Sequence, residues 1–359
     1  MSHRLAVEAE LAIAAGLRIF DAHSHTGEDV DGSSRTCEEH LATLEPLGGR
    51  SVIFPFCVEG DYPAENARVI EECRRHPGEL VPFARLDPRV TTAAGARAAI
   101  AAGARGVKLH PRAEDFRLDH PGVEAIASVA AEAGVPVLVH AGAGVGSFGS
   151  TITELAARHR GCPLILAHAA VSDLAWLWRA VPDHPNLFFD TSWWNPSDLI
   201  ALFALVPPGR ILFGSDEPYM DFGTVLAITL RCARFAGLSA EAIELVVGGQ
   251  LENLLAGLPA EDAGPPPGPP AVTPSPTELR LAGLLSAAGG CMLGGGDPSR
   301  MIELARAAIG ADGSALPGGI EQLAGELIEE AATGAAPWAL AMALTVALTP
   351  GVESRTPVG

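Results

Sequence analysis

Eight short apolar segments alternate with helix-like segments between residues 17 and 258, and this alternation is the strongest constraint on the fold. Strands that are apolar along nearly their whole length are typical of a parallel sheet covered by helices on both faces. Eight such units predict an α/β chain folded as a (β/α)8 TIM barrel. An open doubly wound sheet is the alternative, but no Gly-x-Gly-x-x-Gly motif follows the first strand. The predicted strands are residues 17–22, 51–56, 80–86, 106–110, 135–140, 163–168, 187–190 and 211–214.

The chain of 359 residues is long enough for one large and one small domain. Residues 1–258 are predicted to form the barrel domain. Residues 259–276 are rich in proline and predict an extended, semi-rigid linker. Residues 277–359 predict a small all-helical domain of unknown role, acting as a lid, a packing element or a dimerisation arm. This segment contains no histidine, so no metal site is predicted there.

Composition narrows the partners of the protein. The formal net charge is −19 and no block of lysine or arginine occurs, which argues against a nucleic-acid partner. The apolar run 335–348 is shorter than the roughly 20 residues that span a bilayer, so no membrane partner is predicted. Six scattered cysteines without a Cys-x-x-Cys pair, and no signal-peptide pattern, predict a cytoplasmic protein with reduced thiols. The expected partner is a small-molecule substrate, and a homo-oligomer is left open.

Candidate metal ligands follow several of the predicted strands. His23 and His25 are two residues apart, so they point to the same side of a strand. A single histidine at a strand end is more often structural than a ligand. Here five of the 11 histidines, and one aspartate, fall at strand ends that converge on one rim of a barrel. Imidazole and carboxylate suit a cation such as zinc. The side chains at these ends are His23, His25, Lys108, His110, His140, His168 and Asp216.

The motifs that carry these residues resemble the amidohydrolase superfamily. The branch that they resemble is the amidohydrolase-2 group, which includes hydrolases and aminocarboxymuconate-semialdehyde decarboxylase-like enzymes. The resemblance extends over about residues 17–258 and leaves out the proline-rich segment and the C-terminal helices. The motifs are Asp21-Ala-His-Ser-His25, Gly106-Val-Lys-Leu-His-Pro111, Val139-His-Ala-Gly142, Ala167-His168 and Gly214-Ser-Asp-Glu-Pro218.

The resemblance implies a metal-dependent hydrolase. It implies that His23, His25, His140 and Asp216 hold one zinc or other divalent ion. A metal-activated water would then cleave an amide, cyclic amide, lactone or ester bond. Asp216 would also accept the proton of that water, and His168 would polarise the substrate or transfer a proton.

Lys108 has two interpretations under the same resemblance. It can be carboxylated and bridge two metals, with His140 and His168 holding the second ion. It can instead remain an ammonium that binds a substrate carboxylate or pairs with a nearby acid. We prefer the ammonium and a single ion. His110, two residues further on, either lines the pocket or caps the loop at Pro111.

Three more side chains are substrate-binding candidates. Arg112 follows the fourth strand and can meet an anion. Trp193 and Trp194 follow the seventh strand, where they either stack on a planar substrate or pack under a loop.

Other functions stay open at this point. The first alternative is a metal-dependent decarboxylase that uses the same metal ligands and binds the substrate carboxylate with Arg112 or Lys108. A TatD-like nuclease is disfavoured by the acidic charge. A non-catalytic module that binds a ligand or partner is disfavoured because all the metal-ligand types are present.

Overall fold

The computed structural model describes residues 3–12, 14, 16–60, 62–310, 320–332 and 337–352. All eight predicted barrel strands occur in it. Two of the strands named below, β4 and β5, together cover the predicted strand 80–86, and the short β2 pairs antiparallel with β1. The strands are β1 Phe20–Glu28, β2 Ser34–Arg35, β3 Arg50–Pro55, β4 Leu80–Pro82, β5 Ala84–Arg85, β6 Val107–Leu109, β7 Val137–Val139, β8 Leu164–Leu166, β9 Leu187–Asp190 and β10 Ile211–Leu212. The helices are α1 His3–Leu11, α2 Cys37–Leu44, α3 Pro63–Arg75, α4 Ala93–Ala102, α5 Pro121–Ala133, α6 Gly149–Arg158, α7 Leu174–Leu177, α8 Pro196–Leu205, α9 Phe222–Ala236, α10 Ala240–Glu244, α11 Gln250–Leu255, α12 Pro276–Leu293, α13 Ser299–Gly310, α14 Ile320–Ala332 and α15 Pro337–Leu348.

The barrel strands pair in parallel in chain order. β1, β3 and β4 form one run, and β5 to β10 form the other. Phe83 separates β4 from β5, so the predicted third strand is present in two pieces. The ring closes where the Ala22 N–H donates to the Phe213 carbonyl at 2.8 Å. The predicted (β/α)8 TIM barrel with additional C-terminal helices is confirmed.

The first strand differs from its predicted bounds of 17–22. β1 continues to Glu28, so His23 and His25 lie inside the strand rather than after it. The pairing of β1 with β3 shifts register between Asp21 and Ser24. The apolar pattern ends at Ala22 because the following residues face the polar rim, although the strand hydrogen bonds continue.

Two helical predictions also differ from the structure. The sequence pattern of residues 173–180 predicts one helix, whereas the structure has the short α7, followed by a 3₁₀ turn over Trp178–Asp183. Pro182 lacks an N–H and cannot continue an α-helix. In the C-terminal part, the sequence pattern of residues 278–287 predicts a helix, and the observed helix, α12, is longer. It begins with a capping box in which Ser275 and Glu278 exchange side-chain and backbone bonds.

The C-terminal helices pack against the barrel through α15, which contacts α8 and α9. Residues 339–347 of α15 are buried, as expected for a helix that is apolar on all sides inside a protein. None of the described helices combines the length and the apolar composition that a bilayer span requires. Within the predicted domain 277–359, residues 311–319, 333–336 and 353–359 lie outside the described part, and its boundaries stay a prediction.

One glycine permits the chain after β10 to approach the bottom of β1. The helix there runs through α10, a π-helical turn over Leu245–Gly249, and α11. A Cβ atom added at Gly248 would lie 1.9 Å from the Arg18 carbonyl oxygen. This distance is far below van der Waals contact, and the obstacle is backbone.

We expect Gly248→Ala to lower the free energy of unfolding by about 1–3 kcal/mol or more, because this helix must move away from the barrel. Gly283→Ala in α12 is the control, since no atom lies within 4 Å of its added Cβ. The control should be neutral or slightly stabilising. Urea denaturation of both variants measures the difference. Equal stabilities would contradict the prediction.

Candidate active site

A cavity of about 760 Å³ opens at the rim where the barrel strands end. This volume is within the range of small-molecule sites. All the side chains singled out from the sequence, except Lys108, line it directly. Lys108 lies at the base, where its Nζ is 2.9 Å from His23 Nε2. The lining residues from this set are His23, His25, His110, Arg112, His140, His168, Trp193, Trp194 and Asp216.

The His23 ring is held from both sides. Its Nδ1 lies 2.8 Å from Asp190 Oδ2, and its Nε2 lies 3.2 Å from Asp216 Oδ1. The His23 and Asp190 side chains are fully buried, and the Asp216 side chain is 16% exposed. Burial and the Lys108 ammonium lower the pKa of His23, but the two carboxylates raise it by more, so the pKa lies above its usual value. The contact with Asp190 therefore directs Nε2 of His23 toward the centre of the site.

Asp216 joins the two histidines of β1. Its Oδ1 is also 3.2 Å from His25 Nε2, and its backbone N–H donates to the His23 carbonyl at 2.8 Å. Its backbone φ is 60°, in the left-handed region that residues other than glycine seldom adopt. Burial alone would raise the pKa of Asp216, but His23 and His168 hold it well below the usual range. Burial lowers the pKa of His25 to about 3, so that imidazole is neutral.

His168 and His140 form a pair next to Asp216. His168 Nδ1 lies 2.6 Å from the Ser192 carbonyl oxygen, which requires the proton to be on Nδ1. Its Nε2 lies 2.9 Å from His140 Nδ1. Burial lowers the pKa of both imidazoles, and each also lies near other cationic groups. Both rings are therefore neutral near pH 7.

Strained backbone accompanies His168. This residue and the two that follow it, Ala169 and Ala170, have φ values of 58°, 55° and 49°. Such runs cost energy and persist only where surrounding contacts hold them. The contact here is Asp190, whose Oδ1 accepts the His168 N–H at 2.8 Å. The same carboxylate thus fixes His23 through one oxygen and His168 through the other.

Lys108 is fully buried beside this cluster. Its Nζ lies 4.7 Å from the centre of the Phe54 ring. Burial lowers the pKa of Lys108 to about 7. Among the described residues, no carboxylate oxygen lies within 4 Å of Nζ, and its hydrogen-bond partner is His23 Nε2 at 2.9 Å. The two interpretations of Lys108, ammonium or carboxylated amine, both stay open.

The cluster fits a divalent cation. One ligand atom from each of His23, His168 and Asp216 lies within 4.8 Å of the others. The carboxylates of Asp190 and Asp216 carry two negative charges against one from the Lys108 ammonium, so the centre favours a cation. The neutral imidazoles supply the nitrogen ligands that zinc prefers.

The grouping differs in one respect from the predicted ligand set of His23, His25, His140 and Asp216. His25 is within 3.2 Å of Asp216, as expected. His140 contacts His168 and is not part of the group in which ligand atoms lie within 4.8 Å of one another. The third member of that group, with His23 and Asp216, is His168. The ligand set therefore stays a prediction, with His168 added as a candidate.

The predicted substrate-binding residues all line the cavity. His110 does so while stacking on His140, with ring centres 3.9 Å apart, and its Nδ1 also accepts the Ala113 N–H. Its position is compatible with both interpretations, and its role stays a prediction. Arg112 donates to the Ala143 carbonyl and has no carboxylate partner among the described residues. Trp193 donates to Asp198 at 2.7 Å, and Trp194 packs on α12.

Sequence reasoning missed two residues near the cavity. Asp190 ends β9 and received no role, although it orients both His23 and His168. Arg85 ends β5, lines the cavity and forms a buried ion pair with Glu114 at 2.7 Å. The sequence does carry a signal for both, because each is a charged residue at the end of an apolar strand.

Two other acidic residues near the ligands have structural partners. Asp21 accepts from Ser24 and Ser215 and from the His23 backbone. It thus positions the backbone of His23 rather than its ring. The Glu217 carboxylate accepts a hydrogen bond from Arg35 and forms another with His40, and neither partner is a candidate metal ligand.

The amidohydrolase family model matches residues 52–249 of the chain. The match includes Lys108, His140, His168 and Asp216 and begins after the two histidines of β1. No curated protein matches the sequence.

Several solved structures share the barrel. The 5-carboxyvanillate decarboxylase LigW from Sphingomonas paucimobilis is 14% identical, with a TM-score of 0.53 over 67% of this chain and 99% of that chain. A 2,6-dihydroxybenzoate decarboxylase complexed with 2,6-dihydroxybenzoate is 15% identical, with the same TM-score of 0.53 and the same coverage of 67% and 99%. An amidohydrolase from Burkholderia multivorans with bound zinc is 16% identical. Its TM-score is also 0.53, over 67% of this chain and 99% of that chain. At these identities the likeness concerns the fold.

Proposed function

We propose that this chain, which belongs to the amidohydrolase family, is a metal-dependent hydrolase of a small molecule. The family is metal-dependent and acts on small-molecule substrates. The bond that we propose is an amide, cyclic amide, lactone or ester. Zinc is the metal that we propose, as a single ion, because the donors are imidazoles and a carboxylate.

The position of the Asp216 carboxylate carries this proposal. Its Oδ1 lies 3.2 Å from Nε2 of both His23 and His25. Its Oδ2 bonds no described residue, and the side chain is 16% exposed to the cavity. A carboxylate placed in this way can share one oxygen with a cation and accept a proton from water through the other.

The residues proposed to hold the ion are His23, His25, His140 and Asp216, with His168 as a further candidate. A divalent ion at this place supplies a Lewis acid that polarises a substrate oxygen and lowers the pKa of water. Asp190 keeps Nε2 of His23 directed toward the ion by accepting from Nδ1.

His168 is proposed to polarise the substrate or to move the proton that Asp216 accepts from the attacking water. His168 has its own proton on Nδ1, bonded to the Ser192 carbonyl, so its Nε2 is the acceptor in the 2.9 Å contact with His140 Nδ1. Both rings line the cavity, and His168 is proposed for this role where it is not itself a ligand of the ion.

The remaining side chains are proposed to bind the substrate. Arg112 can pair with an anionic group because no described carboxylate neutralises it. Lys108 is proposed to stay an ammonium that stabilises negative charge near His23. His110, Trp193 and Trp194 form the wall beside these groups.

A labelled-water experiment tests the proposal. Zinc-loaded protein is assayed against a panel of small amides, cyclic amides, lactones and esters in H₂¹⁸O. We expect turnover that requires the metal and one ¹⁸O atom in the acid product. Turnover that persists after chelation and in His23→Ala, or a product without ¹⁸O, would contradict a metal-dependent hydrolase.

A decarboxylase is the second candidate. Arg112 offers a cation for a substrate carboxylate, and two of the structurally similar proteins are decarboxylases. Carbon dioxide released from a panel of carboxylic acids, without ¹⁸O in the organic product, would favour this function over hydrolysis.

We also propose that residues 1–258, 259–276 and 277–359 are the barrel, linker and helical domain, and that the enzyme works in the cytoplasm. All six cysteines are free, which suits a reducing compartment.

A further inference from the structure

The C-terminal helices contribute directly to the cavity, although they lie outside the residues that the family model matches. Gly289, Met292 and Leu293 of α12 line it. Their spacing of three and four residues places them on one face of the helix. Trp338, Leu340 and Ala341 of α15 line the same cavity. None of these six side chains carries a charge.

Tight packing holds this apolar wall against the barrel. A Cβ atom added at Gly289 would lie 2.6 Å from Cζ3 of Trp194, which follows β9. Only a glycine lets α12 approach the indole so closely. α15 contacts α8 and α9 on the barrel side. The wall is therefore a fixed part of the site.

Large apolar side chains remain exposed where the wall meets the mouth of the cavity. Leu293 is 68% exposed, Met292 is 36% exposed, and Val30, which lines the same cavity, is 60% exposed. Exposed apolar side chains that share one cavity indicate contact with a ligand. The polar groups His23, His25 and Asp216 line the same cavity and are largely buried, with side chains 0%, 4% and 16% exposed.

We infer that α12 and α15 form a recognition wall for the apolar part of the substrate. This inference rests on the proposed function, because it places the reacting polar group at the metal candidates. The substrate class is a small molecule in which a hydrolysable or acidic group is attached to a bulky hydrocarbon group. Met292 and Leu293 determine specificity by covering that group, and the C-terminal helices are thereby part of the active site.

Binding of 2-naphthoate to the zinc-loaded full-length protein tests the wall, with isothermal titration as the measurement. Leu293→Ser and Met292→Ser should each weaken binding by about fivefold, since less apolar surface is buried on the ligand. The double variant should weaken it by about 20-fold. Leu279→Ser is the matched control, because Leu279 lies on α12, is 50% exposed and does not line the cavity. It should bind naphthoate like the unchanged protein.

A second titration, with zinc alone, separates this inference from the proposed function. All three serine variants should bind zinc as the unchanged protein does. If zinc binds neither the unchanged protein nor any of the variants, this result counts against the proposed function. Equal naphthoate affinities in Leu293→Ser, Met292→Ser and Leu279→Ser would overturn the wall, and so would an unchanged protein that does not bind naphthoate.

Discussion

Asp216→Asn is expected to reduce turnover by about 10³-fold, because it removes the proton acceptor proposed for water. It should also weaken zinc binding by more than about 100-fold, since a neutral amide replaces the carboxylate between His23 and His25. Asparagine is the informative substitution. It tolerates the left-handed backbone at this position, φ 60°, as aspartate does, so the fold is retained.

Two further variants provide comparisons for the loss of zinc affinity in Asp216→Asn. Asp190→Asn should weaken zinc binding by about 10–100-fold, because Asp190 orients His23 without facing the ion. Asp183→Asn, on an exposed turn, should leave both zinc affinity and turnover unchanged. Titration with zinc provides a measurement that does not depend on the substrate. If Asp216→Asn binds zinc as tightly as Asp183→Asn, the assignment of Asp216 as a ligand is wrong.

The second large effect concerns the buried ion pair of Arg85 and Glu114. Glu114 Oε1 accepts from Arg85 Nε at 2.9 Å, from Arg85 Nη2 at 2.7 Å and from the Tyr62 hydroxyl at 2.6 Å. Both side chains of the pair are almost fully buried. Glu114→Gln leaves the guanidinium without a counter-charge and should lower the free energy of unfolding by about 3–5 kcal/mol.

Replacing both partners isolates the cause. Arg85→Met combined with Glu114→Leu should recover most of the loss, because no unpaired charge remains buried. Asp119→Asn, in the exposed pair with Arg117, should cause no measurable change. Guanidinium chloride denaturation measures all three. A double variant as unstable as Glu114→Gln would show that shape, rather than the unpaired charge, determines the loss.

The sequence by itself determined the barrel and the residues at its rim. Strand periodicity and apolar runs are local properties, so eight strands were recognised from short segments. Alternation along a strand places His23 and His25 on one side. Parallel strands end at one edge, so Lys108, His140, His168 and Asp216 were expected near the same point.

Only the tertiary structure decided which of these residues touch. It placed His168 beside His23 and Asp216 and put His140 behind it. It also made Asp190 the shared support of His23 and His168. These contacts depend on the stagger between strands and on the left-handed turn after β8, which is held by Asp190, 22 residues further along the chain.

The C-terminal helices show most clearly that the tertiary structure decides which elements meet. Their helical pattern was visible in the sequence, and their position at the cavity was not. A proline-rich linker defines a length and a stiffness but no docking direction. That direction comes from the fit of α12 over Trp194 at Gly289 and from the burial of α15. Local pattern determines which elements form, whereas close packing between distant elements determines what they enclose.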